Sequence, residues 1–252
     1  MAALDWLTAR PIAHRGLHNA AAGLIENTAG AMQAAIVAGY GVETDVQISA
    51  DGEAMVHHDE ALGRLTEGDS RLDHMSAAEL QRVPFRNGGE RMMTLGELCD
   101  LVAGRVTMLV EVKSAFDGDT RLGARTAAVL AAYRGPAAAM SFDPRQIAAV
   151  RQKAPQLVTG IVAAKYRSEP GRHSSWNSMP AALRFGMGSL LPALTARPRF
   201  VAYGIADLPA FAPGFARHVI RLPLLTWTVR TLADRDCAAR YADQMIFEGF
   251  RP

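Results

Sequence analysis

The chain has 252 residues, a net charge of +2 at pH 7 and 49% hydrophobic residues, an ordinary composition for a globular protein. This charge is too small to indicate binding to nucleic acid or to an anionic membrane surface. No stretch approaches the roughly 18 to 20 apolar residues of a membrane span, and the N-terminus lacks the pattern of a signal peptide. Cys99 and Cys237 have neither CxxC spacing nor a Cys/His metal framework, so we expect a cytoplasmic protein in a reducing compartment.

Short apolar runs alternate with helical patterns along the chain. Asn27 or Thr28 is expected to cap the first helix, because their side chains can accept hydrogen bonds from its free N–H groups. Residues 166–195 are ambiguous, since they are polar at first and then apolar with helical spacing. The runs that predict strands are 11–14, 42–48, 54–57, 107–113, 138–142, 157–163, 200–204, 224–229 and 244–249, and the helical patterns are 28–38, 94–102, 117–133, 144–153, 207–217 and 231–241.

These strands predict a closed barrel. The run 54–57 is the antiparallel return of a hairpin, and its removal leaves eight strands, each followed by helical material until the last. Short apolar strands are typical of parallel sheets that are covered on both faces. We therefore expect a (β/α)8 barrel of the TIM type, formed by one domain over residues 1–252. An open doubly wound sheet is the alternative, but no GxGxxG motif follows a strand. The polar segment 61–93 interrupts the alternation and holds a short helix that begins with a Ser76–Glu79 capping box.

The segment Val42–Asp59 predicts a hairpin that gathers polar side chains. Strand alternation places Glu43 and Asp45 on one face. Asp51-Gly52 favours a two-residue turn, which would set Asp45 directly opposite His58. A cluster of this kind suits a metal ion with a general acid or base, although an amphipathic strand with a solvated polar face would show the same local pattern.

In a β/α barrel the active site lies at the C-terminal ends of the strands. Charged residues at successive strand ends are costly unless they are paired or bind a metal. Three carboxylates would form an all-oxygen site that suits Mg²⁺ or Ca²⁺. The residues at the predicted strand ends are His14, Arg15, Glu43, Asp45, Glu111, Lys113, Ser141, Phe142, Trp227 and Glu248.

The side chains at these ends suggest roles in phosphodiester chemistry. His14 and His58 could act as acid and base near neutral pH, and Arg15 and Lys113 could hold a phosphate. The charges of a divalent cation, three carboxylates, two cationic residues and one phosphodiester sum to zero. The alternative is a buried ion network without a function.

Other residues carry weaker evidence. Trp227 is as consistent with packing as with a platform for the substrate. His57 is expected to face away from His58, and His18 has no obvious companion. Glu248 has no assigned role.

The ordered motifs resemble the glycerophosphodiester phosphodiesterase family. They are His14-Arg15-Gly16, Glu26-Asn27-Thr28, Glu43-Thr44-Asp45-Val46, Asp51-Gly52, His58-Asp59, Glu111-Val112-Lys113, Ser141-Phe142 and Leu225-Thr226-Trp227-Thr228.

This resemblance implies a β/α barrel that uses a divalent cation to hydrolyse glycerophosphodiesters, small-molecule substrates, to glycerol 3-phosphate and an alcohol. It implies His14 and His58 as catalytic acid and base, and Arg15 and Lys113 near the phosphate. It also implies Glu43, Asp45 and Glu111 as metal ligands, and 61–93 as an insertion beside the site.

Two positions depart from the pattern of the family. Ile25 stands where proline usually precedes the Glu-Asn-Thr motif, and Glu248 lies where a Thr-Asp pattern usually ends the last strand. A barrel phosphodiesterase that acts on lysophospholipids or phosphoinositides is an alternative, for which the apolar residues 179–194 could supply a lipid-facing surface. A phosphate-binding protein without catalysis would normally lack one of the histidines or carboxylates, and none is missing. The oligomeric state is not indicated.

Overall fold

The computed structural model describes residues 4–87, 89–165 and 181–252, and within them nine strands form one sheet. Their order is β1-β9-β8-β7-β6-β5-β4-β2-β3, and β1 also pairs with β2. Eight strands therefore close into a parallel barrel, and β3 lies outside it as the antiparallel partner of β2. The predicted (β/α)8 barrel is confirmed. The strands are β1 (Ile12–Ala13), β2 (Gly41–Ile48), β3 (Ala54–Val56), β4 (Met108–Val112), β5 (Ala137–Ser141), β6 (Val158–Ala163), β7 (Phe200–Gly204), β8 (Leu224–Val229) and β9 (Gln244–Phe247).

The described α-helices lie at Asp5–Thr8, Ala29–Val37, Ala77–Leu80, Leu95–Val102, Arg121–Ala132, Pro144–Lys153, Ala181–Gly188, Ala193–Ala196, Phe211–His218 and Leu232–Tyr241. Capping boxes begin three of them, with Ser76, Thr94 and Thr231 as the N-cap residues. Each box satisfies N–H groups that have no partner within the helix. None of the described helices is long and apolar enough to cross a bilayer.

The barrel interior is apolar at its N-terminal end. Leu109, Phe200 and Leu225 belong to one buried cluster, and Leu7 of the first helix packs against it from below. Glycine at position 160 leaves room for the ring of Phe200, because a Cβ atom there would lie 2.3 Å from that ring. A larger apolar cluster lies between the strands and the surrounding helices. The charged side chains at the strand ends lie beyond this apolar layer, at the C-terminal end of the barrel.

The predicted hairpin register is wrong by one residue. Val46 pairs with Val56, and the backbone N–H of His57, not that of His58, donates to the carbonyl of Asp45. The turn is longer than predicted, because Ser49 pairs with Glu53 across a three-residue loop whose Gly52 has φ +84°. A left-handed glycine is typical of such three-residue hairpin loops.

The polar segment 61–93 has an apolar core of its own. Met55, Leu62, Leu72, Phe85 and Met92 form a buried cluster that also includes Ile25 and Leu80. The isoleucine that replaces the usual proline thus anchors this segment to the loop before the first long helix. A bridge between Thr66 and Phe85 helps to close the segment. The prediction of a single domain over residues 1–252 remains a prediction.

Candidate active site

A cavity of about 680 Å³ opens at the C-terminal ends of the strands. Its lining includes six of the eight residues predicted for the site, namely His14, Arg15, His58, Glu111, Lys113 and Trp227. The remaining two, Glu43 and Asp45, are each 1% exposed and contact these lining residues. The barrel thus brings all eight residues together from five separate parts of the chain.

Three carboxylates form the centre of the site. Asp45 of β2 lies beside Glu111 of β4 in the parallel ladder, and Glu43 projects to the same face two residues earlier. One carboxylate oxygen from each of the three residues lies within 4.8 Å of the others. This is a donor set of hard oxygen ligands, as Mg²⁺ and Ca²⁺ prefer.

Two cationic side chains partly neutralise these carboxylates. The Nζ atom of Lys113 lies 2.7 Å from Asp45 Oδ1 and 2.5 Å from Glu111 Oε1. The Nε atom of Arg15 lies 3.1 Å from Asp45 Oδ2. The ion network that the sequence offered as an alternative is therefore present. Two positive charges against three negative ones leave one negative charge in excess.

The excess charge is reflected in the carboxyl pKa values. Burial opposes ionisation of Asp45, but the charges of Lys113 and Arg15 outweigh it and hold its pKa well below the usual range. Burial and the neighbouring charges of Asp45 and Glu111 raise the pKa of Glu43 well above the usual range. A divalent cation would relieve this repulsion, so the residues present fit such an ion.

His14 is held from behind by Glu248, which the sequence left without a role. Its Nδ1 atom lies 2.5 Å from Glu248 Oε2, and Arg230 Nε donates to Glu248 Oε1 at 2.6 Å. The Nε2 atom of His14 lies 4.0 Å from Glu43. Burial lowers the pKa of His14, against the opposing effect of Glu248, and this favours the neutral ring. A neutral ring that donates from Nδ1 presents Nε2 as a proton acceptor.

His58 has the same kind of support. Its Nδ1 atom lies 2.7 Å from Asp59 Oδ1, and Arg64 Nε donates to Asp59 Oδ2 at 2.6 Å. The backbone carbonyl of His58 also accepts from Gln47 Nε2 at 2.9 Å. These contacts explain why His58 lines the cavity even though the hairpin register differs from the prediction. His57 faces away from the cavity and packs on Phe85, as expected.

Asn27 is a member of the site, although it was predicted as a helix cap. Its Nδ2 atom donates to Asp45 Oδ2 at 2.9 Å, and its Oδ1 atom accepts from Thr44 at 2.8 Å. The hydroxyl of Thr28, the other candidate cap, donates to the carbonyl of Ile25. Nothing in the local sequence separates an asparagine that caps a helix from one that reaches across to a strand.

The remaining strand-end residues differ in their contacts. Ser141 donates to the carbonyl of Val112 and so belongs to the barrel framework. Phe142 and Trp227 meet edge to face with ring centroids 5.5 Å apart, and the indole N–H of Trp227 donates to Ala202. The prediction that His18 has no companion is wrong, because its Nε2 atom lies 3.4 Å from Glu248.

The chain is similar in sequence to one protein family and to named members of it. The model of the "Glycerophosphoryl diester phosphodiesterase family" matches residues 14–246. A glycerophosphodiester phosphodiesterase of Caldanaerobacter subterraneus subsp. tengcongensis is 32% identical over 111 residues, which span 41% of this chain and 44% of that protein. A Mycobacterium tuberculosis protein named "Probable glycerophosphodiester phosphodiesterase 1" is 27% identical over 214 residues, or 75% of each chain.

Solved structures share the fold. An Oleispira antarctica phosphodiesterase in complex with the product sn-glycerol-3-phosphate superposes with a TM-score of 0.74 at 19% identity, over 96% of this chain and 94% of that chain. A glycerophosphodiester phosphodiesterase from Thermotoga maritima has a TM-score of 0.67 at 22% identity, over 94% and 92%. The family match covers nearly the whole barrel, including both histidines and all three carboxylates of the site. The chain therefore belongs to the glycerophosphoryl diester phosphodiesterase family and is a phosphodiesterase enzyme.

Proposed function

We propose that the protein hydrolyses glycerophosphodiesters to glycerol 3-phosphate and an alcohol, with a divalent cation as cofactor and with His14 and His58 as the acid–base pair. One observation carries the proposal. Two histidines, each with its Nδ1 atom held by a carboxylate, line one cavity beside a cluster of three buried carboxylates, of which Glu111 also lines it. Acid–base catalysis by a metal-assisted hydrolase needs this combination.

The phosphate would lie against Arg15 and Lys113. Both side chains line the cavity, and both are only 17% exposed. A guanidinium and an ammonium in a poorly solvated site stabilise charge that develops on phosphoryl oxygens more strongly than they would in water. The charges of a divalent cation, the three carboxylates, these two cations and one phosphodiester would sum to zero.

Glu43, Asp45 and Glu111 would hold the cation, with Mg²⁺ and Ca²⁺ as the matching ions. When bound, the ion supplies Lewis-acid stabilisation of negative charge on the phosphate. Asn27 keeps Asp45 in place through its amide, so the ligand set is oriented by a neighbour that bears no charge.

The histidines would move the protons. One accepts the proton of the attacking hydroxyl, and the other donates a proton to the departing alkoxide. Glu248 and Asp59 hold the two rings by their Nδ1 atoms, so each ring would exchange protons through its Nε2 atom. Trp227, with its indole N–H already donating to the barrel, would offer only its ring to the leaving group.

The direct test measures release of glycerol 3-phosphate from glycerophosphocholine. Activity should disappear with a chelator and return with Mg²⁺ or Ca²⁺. His14→Asn and His58→Asn should each lower the rate by about 10²–10⁴ while the metal still binds, as measured by calorimetry. Full activity in the presence of the chelator would remove the cation from the proposal, and unchanged rates in both variants would remove the histidines.

A lysophospholipid substrate gains no support from the structure. The two short helices Ala181–Gly188 and Ala193–Ala196 and the turn between them expose Phe185, Leu191 and Leu194, but no described residue of 181–196 lines the cavity. The part of the predicted surface at 179–180 lies outside the described residues. A cytoplasmic location remains our proposal, supported by the free thiols of Cys99 and Cys237.

A further inference from the structure

Arg64 of the insertion lies between two elements of the site. Its Nη2 and Nη1 atoms donate to the two oxygens of Glu26 at 2.7 and 3.2 Å. Its Nε atom donates to Asp59 at 2.6 Å. One guanidinium therefore joins two carboxylates that come from different parts of the chain.

Each of these carboxylates contacts a residue that we place against the substrate. Asp59 accepts at the Nδ1 atom of His58 at 2.7 Å, and Glu26 accepts from Arg15 Nη1 at 2.7 Å. Burial opposes ionisation of Glu26, yet the hydrogen bonds and charges of Arg64 and Arg15 lower its pKa to about 2. The ion pairs are therefore complete throughout the neutral pH range.

The insertion determines where Arg64 lies. Leu62 is buried in the apolar core of the insertion, and its backbone N–H donates to the carbonyl of Ser70. The carbonyl of Gly63 accepts from Arg86, and its N–H donates to Thr66. The backbone on the N-terminal side of Arg64 is thus held by contacts within the insertion, not by the barrel.

We propose that Arg64 is a positioning residue through which the insertion holds His58 and Arg15 in one arrangement, an inference that rests on the proposed hydrolysis. Arginine suits this task because its planar group binds both oxygens of Glu26 through two nitrogens and Asp59 through the third, whereas a lysine ammonium offers all its donors from a single nitrogen. The insertion then contributes to catalysis by aligning the acid–base residue His58 with the phosphate-binding residue Arg15.

The test compares Arg64→Ala with Arg125→Ala. Arg125 makes a similar two-pronged pair with Glu53 and is 42% exposed, against 46% for Arg64. Its partner Glu53 does not line the cavity, whereas Asp59, a partner of Arg64, does. We expect Arg64→Ala to lower kcat/KM by about 10- to 100-fold, the usual effect of losing an orienting partner, and Arg125→Ala to change it little. Arg64→Lys should stay close to Arg64→Ala.

Chemical rescue separates positioning from a merely structural role. Because Arg64 is partly exposed, millimolar guanidinium should restore part of the activity of Arg64→Ala, and methylammonium at the same ionic strength should not. Arg64→Ala should also cost less in a His58→Asn background than in the wild type, since the ring that it aligns is gone. A loss that guanidinium does not restore, or one that Arg125→Ala matches, would overturn the proposal.

Binding of inorganic phosphate gives a readout that does not depend on turnover. With Mg²⁺ present, calorimetry should show about tenfold weaker phosphate binding in Arg64→Ala than in Arg125→Ala, because Glu26, which holds Arg15, has lost its pair with Arg64. If the wild type releases no glycerol 3-phosphate, the proposed function fails, and phosphate affinity alone then decides the role of Arg64. Equal affinities in the two variants would overturn it.

Discussion

Replacing Glu248 should slow the chemical step without weakening substrate binding. Its carboxylate lies 2.5 Å from His14 Nδ1, and its side chain is only 18% exposed. A hydrogen bond to a charged group is worth about 1.5–3 kcal/mol, and each 1.4 kcal/mol or so is about tenfold in rate. The expected loss in kcat is therefore about 10- to 100-fold.

Two substitutions divide this loss into its parts. Glu248→Gln keeps the size of the side chain and a carbonyl acceptor but removes the charge, so we expect the lower limit, about tenfold. Glu248→Ala also leaves the ring free to rotate, and we expect about 100-fold. KM should change by less than about threefold in both, since Arg15 and Lys113 are untouched.

Steady-state release of glycerol 3-phosphate at saturating metal is the assay. Glu53→Gln is the matched control, because Glu53, like Glu248, accepts from an arginine, here Arg125, but lies outside the cavity. Circular dichroism should show that all variants are folded. If Glu248→Ala kept the kcat of Glu53→Gln, the reasoning that His14 depends on an oriented ring would be refuted.

Three further predictions concern stability and metal binding. Burial lowers the pKa of His57 from 6.5 to about 4. The contribution of His57 to the unfolding free energy is therefore fully present above pH 6.5 and is lost as the pH falls toward 4. The wild type should lose about 3 kcal/mol of unfolding free energy over this range relative to His57→Leu, measured by urea titration, and parallel pH curves would contradict it. Glu43→Gln should raise the unfolding free energy by about 1 kcal/mol in chelator by removing like-charge repulsion, while calorimetry shows weaker Mg²⁺ and Ca²⁺ binding. Asn27→Ala should lower the unfolding free energy by about 2–3 kcal/mol, because it removes two buried hydrogen bonds and places alanine at a φ of 58°. Asn27→Gly should lower the unfolding free energy less, because glycine adopts this φ without strain.

Local patterns in the sequence were sufficient for the barrel. Each predicted strand overlaps an observed one, and the capping box at Ser76 is present as predicted. The ends of the last helices and strands differ by a few residues, because helix ends depend on competing local contacts. The hairpin register failed because Asp51-Gly52 is compatible with both a two-residue and a three-residue loop, and cross-strand packing selects between them.

The residue types of the site were also evident in the sequence. Strand alternation determined that Glu43 and Asp45 share a face, and the β/α order determined that Glu111 and Lys113 end the neighbouring barrel strand. Both follow from the periodicity of a strand and the geometry of a parallel barrel, which are local or general properties.

Only the tertiary structure decided which side chains contact and orient the residues of the site. Glu248 meets His14 across 234 positions of the chain, and Arg64 meets Glu26 across 38. Such contacts depend on how the closed barrel and the insertion place distant backbones, and no periodicity within either segment encodes the distance between them. The sequence by itself thus determined the residues that we propose as reacting groups, whereas the fold decided which carboxylates and arginines contact them.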